Sequence, residues 1–168
     1  MLALLYFILF PLGGGRYRNS SPRAYYSSSV SSYGYTANYD RGRAYWNAHS
    51  KVNITKSTSA TNADRYYIGN TSTPNLYGRM SSFDINGSPV SLHGYWHYTT
   101  VYMYANQMRA QSNYSSSRVD YNATHEIGHT LKMNHSPSKA IYSVMTQGFV
   151  TIPPSLTQYD RGEIDAKW

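Results

Sequence analysis

Three histidines and one glutamate, all between positions 125 and 135, are the residues of this sequence best suited to chemistry. His125, Glu126 and His129 are followed six residues after His129 by His135. Neutral imidazoles are good zinc ligands, and three of them leave one corner of a tetrahedral site open for water. The order of residue types therefore predicts a catalytic zinc site with His125, His129 and His135 as the metal ligands.

The spacing of these residues also predicts the structure that must position them. On an α-helix, His125 and His129 lie about 40° apart around the axis and about 6 Å apart along it, so both rings leave one face. Glu126 lies roughly 100° round from His125, where its carboxylate can reach a metal-bound water as general base and acid. His135 would point elsewhere if the helix continued, so the helix is expected to end near Lys132.

The same helix is expected to begin near Arg118, because Ser117 and Asp120 form an S-x-x-D capping box. The alternative is a coincidence of residue types, with surface histidines on an ordinary amphipathic helix. The two interpretations differ in whether the ring of His135 returns to the other two.

A family resemblance extends beyond the histidines. Residues 123–136 resemble the zinc-binding consensus of the metzincin metallopeptidases, nearest to the matrixin-like branch. Residues 143–145, Ser-Val-Met, follow at a distance typical of the family's Met-turn, whose methionine lies beneath the metal. Residues 156–164 resemble the short helix that ends matrixin catalytic domains. Residues 44–47 resemble the first helix, and residues 95–104 resemble the strand before the active-site helix.

The resemblance implies an α+β fold, in which a metzincin-like catalytic domain has a twisted mixed β-sheet, an active-site helix and a small C-terminal subdomain ending in a helix. It implies a zinc-dependent endopeptidase with Zn²⁺ as cofactor, whose protein or peptide substrate binds in an extended conformation. Residues 79–84 are the candidate rim strand that receives the substrate. Residues 149–153 are the candidate pocket wall, although their apolar side chains suit a core equally well.

The sequence departs from the family at Lys132, where glycine is usual because the turn favours positive φ. Lysine in that conformation costs on the order of 1 kcal/mol, unless the turn shifts to Asn134. Gln147 replaces a tyrosine of some metzincin branches, which matrixins also lack. The chain has no cysteine, which excludes disulfides and a cysteine-switch mechanism of latency.

Two other functions remain open at this point. A metal-binding but inactive relative could serve as a binding module if Lys132 distorts the turn. A zinc hydrolase of cell-wall peptides is favoured only by the formal charge of +7. Arginine and tyrosine alternate in residues 16–18 and 23–26, as in proteins that stack on nucleic acids, but no nucleic-acid motif accompanies them. We therefore expect no nucleic-acid partner.

The beginning of the chain has the composition of a secretion signal. Residues 2–12 form an apolar run that is too short to span a bilayer as a helix. We expect a signal peptide over residues 1–15, with a signal anchor as the alternative, and one matrixin-like catalytic domain over residues 16–168. The enzyme is then expected to be secreted, extracellular and monomeric, without stable membrane insertion after removal of the signal.

Periodicity and turn residues give the remaining elements. Thr36 is expected to cap a helix over residues 37–48 whose small face, with Ala37, Arg41, Ala44 and Ala48, packs on a sheet. Strands are expected over residues 52–56, 65–69, 79–85 and 95–104, with a hairpin turn at Asn86-Gly87. Residues 27–32 are expected to form a surface turn or a short strand, and residues 112–117 a polar loop. The 19 tyrosines suggest a half-exposed sheet surface. His93 and His97 are expected to be exposed sheet histidines, not ligands of a second zinc.

Overall fold

The computed structural model describes residues 20–92 and 94–168, so the predicted signal peptide lies outside the described part. The described chain has an α+β fold, as expected. Its elements are β1 (Arg23–Tyr26), α1 (Ser28–Ser32), α2 (Thr36–Asn47), β2 (Thr55–Ser57), β3 (Asp64–Gly69), β4 (Gly78–Phe83), β5 (Pro89–Val90), β6 (Tyr98–Tyr104), α3 (Ala105–Arg109), α4 (Ser116–Thr130) and α5 (Gln158–Lys167). None of the helices among these residues is long and apolar enough to cross a membrane.

The strands form one mixed sheet in the order β2-β1-β3-β6-β4-β5. The first four of these strands are parallel to one another, whereas β4 runs antiparallel to β6 and to β5. In β6 the side chains alternate strictly, so Val101 and Met103 are buried while Tyr102 and Tyr104 are partly exposed. Tyr67 of β3 stacks on Tyr102 with ring centroids 4.8 Å apart. The outer face of the sheet therefore carries stacked tyrosines, as the composition suggested.

Helices α2 and α4 pack against each other on the sheet, but α2 uses a different face from the one expected. Its four predicted contact residues, Ala37, Arg41, Ala44 and Ala48, are all exposed. The buried residues are Asn38, Tyr39, Gly42, Tyr45 and Trp46. Large aromatic side chains bury far more apolar area than alanines, so they determine which face turns inward. Gly42 lets the helices approach, since a Cβ there would lie 2.9 Å from Ile127 Cδ1.

Most predicted strands are present with shifted ends. β3, β4 and β6 lie within one to three residues of the predicted starts, and Gly87 in the predicted hairpin turn has a φ of 84°. In place of the expected strand 52–56, β2 is Thr55–Ser57, and Val52 and Ile54 are buried in the segment before it. The expectation for residues 27–32 was wrong, since Ser28–Ser32 is the short helix α1. β1 was not predicted at all.

Candidate metal centre

Helix α4 carries the first two predicted ligands and begins two residues earlier than expected. Ser115 is its N-cap, and the Ser115 hydroxyl accepts a hydrogen bond from a backbone N–H in the first turn at 3.4 Å. The predicted capping box of Ser117 and Asp120 was therefore wrong. The Asp120 carboxylate instead accepts a hydrogen bond from Arg41 Nε at 2.8 Å, which ties α4 to α2. The carboxylate that the local motif assigned to the cap therefore binds a residue of another helix.

The end of α4 lies where the spacing of the histidines predicted it. The helix ends at Thr130, and Lys132 has a φ of 61°. The N–H groups of Lys132 and Met133 donate to the carbonyl oxygens of His129 and Gly128 at 3.0 and 3.1 Å. This pair of bonds is the Schellman arrangement that satisfies the last carbonyls of a helix. The left-handed residue is thus Lys132 itself, and the turn does not shift to Asn134.

The turn brings the three predicted ligands together. One nitrogen atom from each of His125, His129 and His135 lies within 4.8 Å of the others. The ring centroids are 4.9 Å apart for the first pair, 5.1 Å for His125 and His135, and 4.8 Å for His129 and His135. His125 is buried, His129 is partly buried and His135 is exposed, so the cluster opens to solvent on one side. A group of three histidines that could hold a metal ion is therefore present.

Hydrogen bonds fix which nitrogen of the first two rings faces the cluster. His125 Nδ1 lies 2.8 Å from the carbonyl oxygen of Val144, and His129 Nδ1 lies 2.8 Å from that of Met133. A carbonyl oxygen can only accept, so each Nδ1 carries the hydrogen and each Nε2 keeps its lone pair. Backbone acceptors of this kind orient metal-binding imidazoles in many sites.

The electrostatic environment keeps the three rings neutral. Burial, reinforced by the neighbouring His129, lowers the pKa of His125 to about 3. Burial also lowers the pKa of His129 to about 4 and lowers the pKa of His135. Neutral imidazoles suit zinc and other late first-row cations, and no proton must be displaced near neutral pH. The donor set therefore fits a zinc ion.

The side chain of Glu126 extends from α4 towards strand β4. Its side chain is buried, and this burial raises its pKa to about 8 despite a hydrogen bond from the backbone N–H of Met80. A Cβ at Gly78 would lie 2.6 Å from Glu126 Oε1, so the glycine leaves room for the carboxyl group in its present position. A buried titratable group beside three potential ligands is a common property of catalytic sites.

Met145 lies where the Met-turn was expected, directly against the ligand helix. It is fully buried, and a Cβ at Gly128 would lie 2.4 Å from its sulfur atom and 2.7 Å from Trp46 Cζ2. Gly128 lies between the two predicted ligands of α4, directly before His129. Its missing side chain therefore lets Met145 and Trp46 reach the backbone of α4 between the two histidines.

Asp160 was not identified from the sequence, although it organises the segment around Met145. It is fully buried at the start of α5 and accepts hydrogen bonds from Ser143 Oγ at 2.6 Å and from the Val144 N–H at 3.3 Å. Thr157 Oγ1 donates to the same carboxylate at 2.8 Å. Because the Val144 carbonyl oxygen also accepts a hydrogen bond from His125, Asp160 supports the first predicted ligand through one intervening residue. The T-x-x-D pattern of Thr157 and Asp160 was the available signal.

The remaining candidate site residues are those of the predicted pocket wall and the two histidines expected on the sheet. Phe149 is buried and stacks on Tyr77 at 4.8 Å, so this end of the predicted pocket wall belongs to the core. Val150 is 43% exposed. His97 Nε2 lies 3.0 Å from Asn62 Oδ1, while His93 lies outside the described residues.

Comparison with known proteins yields no match for this chain, either to a family model or to a curated protein.

Proposed function

We propose that this protein is a secreted zinc-dependent endopeptidase of the metzincin type, with His125, His129 and His135 as ligands of Zn²⁺ and Glu126 as general base and acid. The proposal rests chiefly on the convergence of three neutral imidazoles around a point that is open on the His135 side. Three protein ligands with an open position are typical of catalytic zinc sites, whereas structural sites are closed by four ligands.

A zinc ion, when bound here, supplies a Lewis acid that polarises a carbonyl and lowers the pKa of a coordinated water. Glu126 then accepts the proton of the attacking water and delivers it to the leaving amine. Its burial favours the protonated form, while a cation among the adjacent histidines favours the carboxylate. These opposing influences suit a group that must bind and release a proton in each turnover.

Strand β4 offers a place for an extended substrate beside Glu126. Tyr77 accepts a backbone hydrogen bond from Tyr104, so by alternation the backbone groups of Gly78 and Met80 point away from β6. β5 pairs only with Ser82 and Phe83, and no strand of the described residues covers the edge before them. A peptide adding to this edge would place its backbone next to the Glu126 carboxyl group.

Three further features favour the metzincin type. The ligand helix ends at a left-handed turn before His135. Met145 packs against this helix at Gly128. The first turn of the C-terminal helix α5 contains Asp160, whose carboxylate accepts hydrogen bonds from Ser143 and Val144, beside Met145. The positions of Met145 and of the C-terminal helix match those that the family resemblance predicts from the sequence.

The test is hydrolysis of an unstructured protein by the purified chain, with and without a chelator, followed by addition of zinc. We expect activity that the chelator abolishes and zinc restores. Glu126→Gln should bind zinc with parental stoichiometry and lose activity by several orders of magnitude. Glu163→Gln, the same change on α5, serves as the matched control and should remain active.

The outcomes separate the proposal from its alternatives. Zinc binding without hydrolysis of any protein would indicate an inactive binding module. Release of fragments from cell-wall peptides, without cleavage of unstructured protein, would indicate a wall hydrolase. Parental activity in Glu126→Gln would contradict the role of the carboxyl group.

A further inference from the structure

Lys132 occupies an unusual position in the turn between His129 and His135. Its φ of 61° lies in the left-handed region, which side chains with a Cβ disfavour. The other described residues with positive φ, apart from glycines, are Asn62 and Asn75, and asparagine tolerates this conformation better. Lys132 is also only 6% exposed. A strained and buried lysine indicates that its side chain has a specific role.

The ammonium group of Lys132 joins the turn to the segment before β6. Lys132 Nζ donates to the carbonyl oxygen of Gly94 at 2.9 Å and lies 4.3 Å from the ring centroid of Trp96. Trp96 is 1% exposed, so this cation–π contact lies in the protein interior. Such contacts are stronger when they are shielded from water.

The backbone of Lys132 joins the same turn to the C-terminal helix. Lys167 Nζ, at the end of α5, donates to the carbonyl oxygen of Lys132 at 3.0 Å. The start of α5 holds residues 143–145 through Asp160. The turn is thus fixed from two directions, and the contact through Lys132 Nζ is the one that a glycine could not make.

We propose that Lys132 is a positioning residue, whose ammonium group anchors the turn to Gly94 and Trp96 and thereby holds His129 and His135 at the spacing that the metal requires. The proposal rests on the metal site of the proposed function. It explains why the turn keeps a residue that its backbone conformation disfavours: the side chain supplies an anchor that offsets the strain.

Two substitutions separate the anchor from the backbone conformation. Lys132→Gly relieves the strained φ and removes the ammonium group, whereas Lys132→Met keeps the strained φ and removes the ammonium group with its hydrogen bond to Gly94. We expect both variants to bind zinc about 10- to 100-fold more weakly, as is typical when support of a metal ligand is lost. Asn75→Gly, which relieves a positive φ elsewhere, is the matched control and should bind zinc like the parent.

Zinc affinity is measured by competition with a chromogenic chelator, alongside the denaturant unfolding of each metal-free protein. A merely structural residue would change the unfolding curve and leave the zinc affinity of the folded protein unchanged. Zinc binding by Lys132→Gly within threefold of the parent, or tighter, would overturn the proposal whatever Lys132→Met does.

Hydrogen exchange of the metal-free proteins tests the anchor without any metal. We expect faster exchange of residues 94–97 and 131–135 in both Lys132 variants than in the parent. Unchanged exchange would overturn the proposal. If the parent itself binds no zinc, the proposed function fails, and the exchange result then decides separately whether Lys132 anchors the turn.

Discussion

Removal of the Glu126 charge should make the metal-free protein more stable at alkaline pH. In the folded protein, burial raises the pKa of Glu126 to about 8 from an ordinary value of 4.5. Between these values the folded state keeps a proton that the unfolded state releases, so rising pH favours unfolding. Each pH unit is worth about 1.4 kcal/mol, which gives a limit of about 5 kcal/mol over the whole interval.

The assay is urea unfolding of metal-free parent and Glu126→Gln at several pH values from 5 to 8. Glutamine has nearly the same shape and its oxygen can still accept from the Met80 N–H. We expect the variant to gain stability over the parent steadily as the pH rises, by on the order of 3 to 5 kcal/mol at pH 8. Other titrating groups contribute equally to both proteins and cancel in the difference.

Glu163→Gln provides the control for this experiment. Glu163 is the second glutamate of the chain, and burial also raises its pKa, although Lys167 opposes the shift. Its substitution should have a smaller effect, because the side chain is only half-buried. A constant difference between parent and Glu126→Gln from pH 5 to 8, or a variant that is less stable at pH 8, would refute the assignment of Glu126 as a protonated buried acid.

Two more predictions concern the buried histidines and Asp160. In metal-free Glu126→Gln, lowering the pH below 6.5 should reduce the free energy of unfolding by up to about 1.4 kcal/mol per pH unit for each of His125 and His129. The reason is that burial lowers the pKa of both rings, so the unfolded chain binds protons that the folded protein does not. His129→Gln should halve this dependence in urea titrations, and an unaltered slope would contradict it. Asp160→Ala should lower the free energy of unfolding by at least about 3 kcal/mol and weaken zinc binding, because the buried donors of Ser143 and Val144 lose their acceptor. Asp165→Ala, on an exposed residue of the same helix, should cost much less than Asp160→Ala, and equal losses would argue against a special role for Asp160.

The parts of the site that follow from local rules could be predicted from the sequence. Helical geometry places His125 and His129 on one face, and the distance to His135 requires a turn near Lys132. Both expectations are confirmed, because the helical repeat fixes the relative directions of side chains four residues apart whatever the helix packs against. Alternation likewise located β3 and β6, whose side chains point to opposite faces of the sheet.

The parts that depend on distant residues could not be predicted in this way. The sequence pattern predicts Asp120 as a capping residue, whereas in the structure its carboxylate binds Arg41 of another helix. The small residues of α2 predict one buried face, whereas Tyr39, Tyr45 and Trp46 turn another face into the core through contacts with distant residues. The supporting role of Asp160 requires contacts across the chain, and so does the close approach of Gly78 to Glu126. Sequence periodicity contains no signal for such pairs.

Anomalous X-ray scattering from crystals of the zinc-loaded protein, recorded on both sides of the zinc absorption edge, tests the central claim most directly. We expect one strong peak about 2.0–2.1 Å from the Nε2 atoms of His125 and His129 and from one ring nitrogen of His135, with no protein side chain in the fourth position. Absence of a peak, a peak bound through other residues, or a fourth ligand from the protein would contradict it.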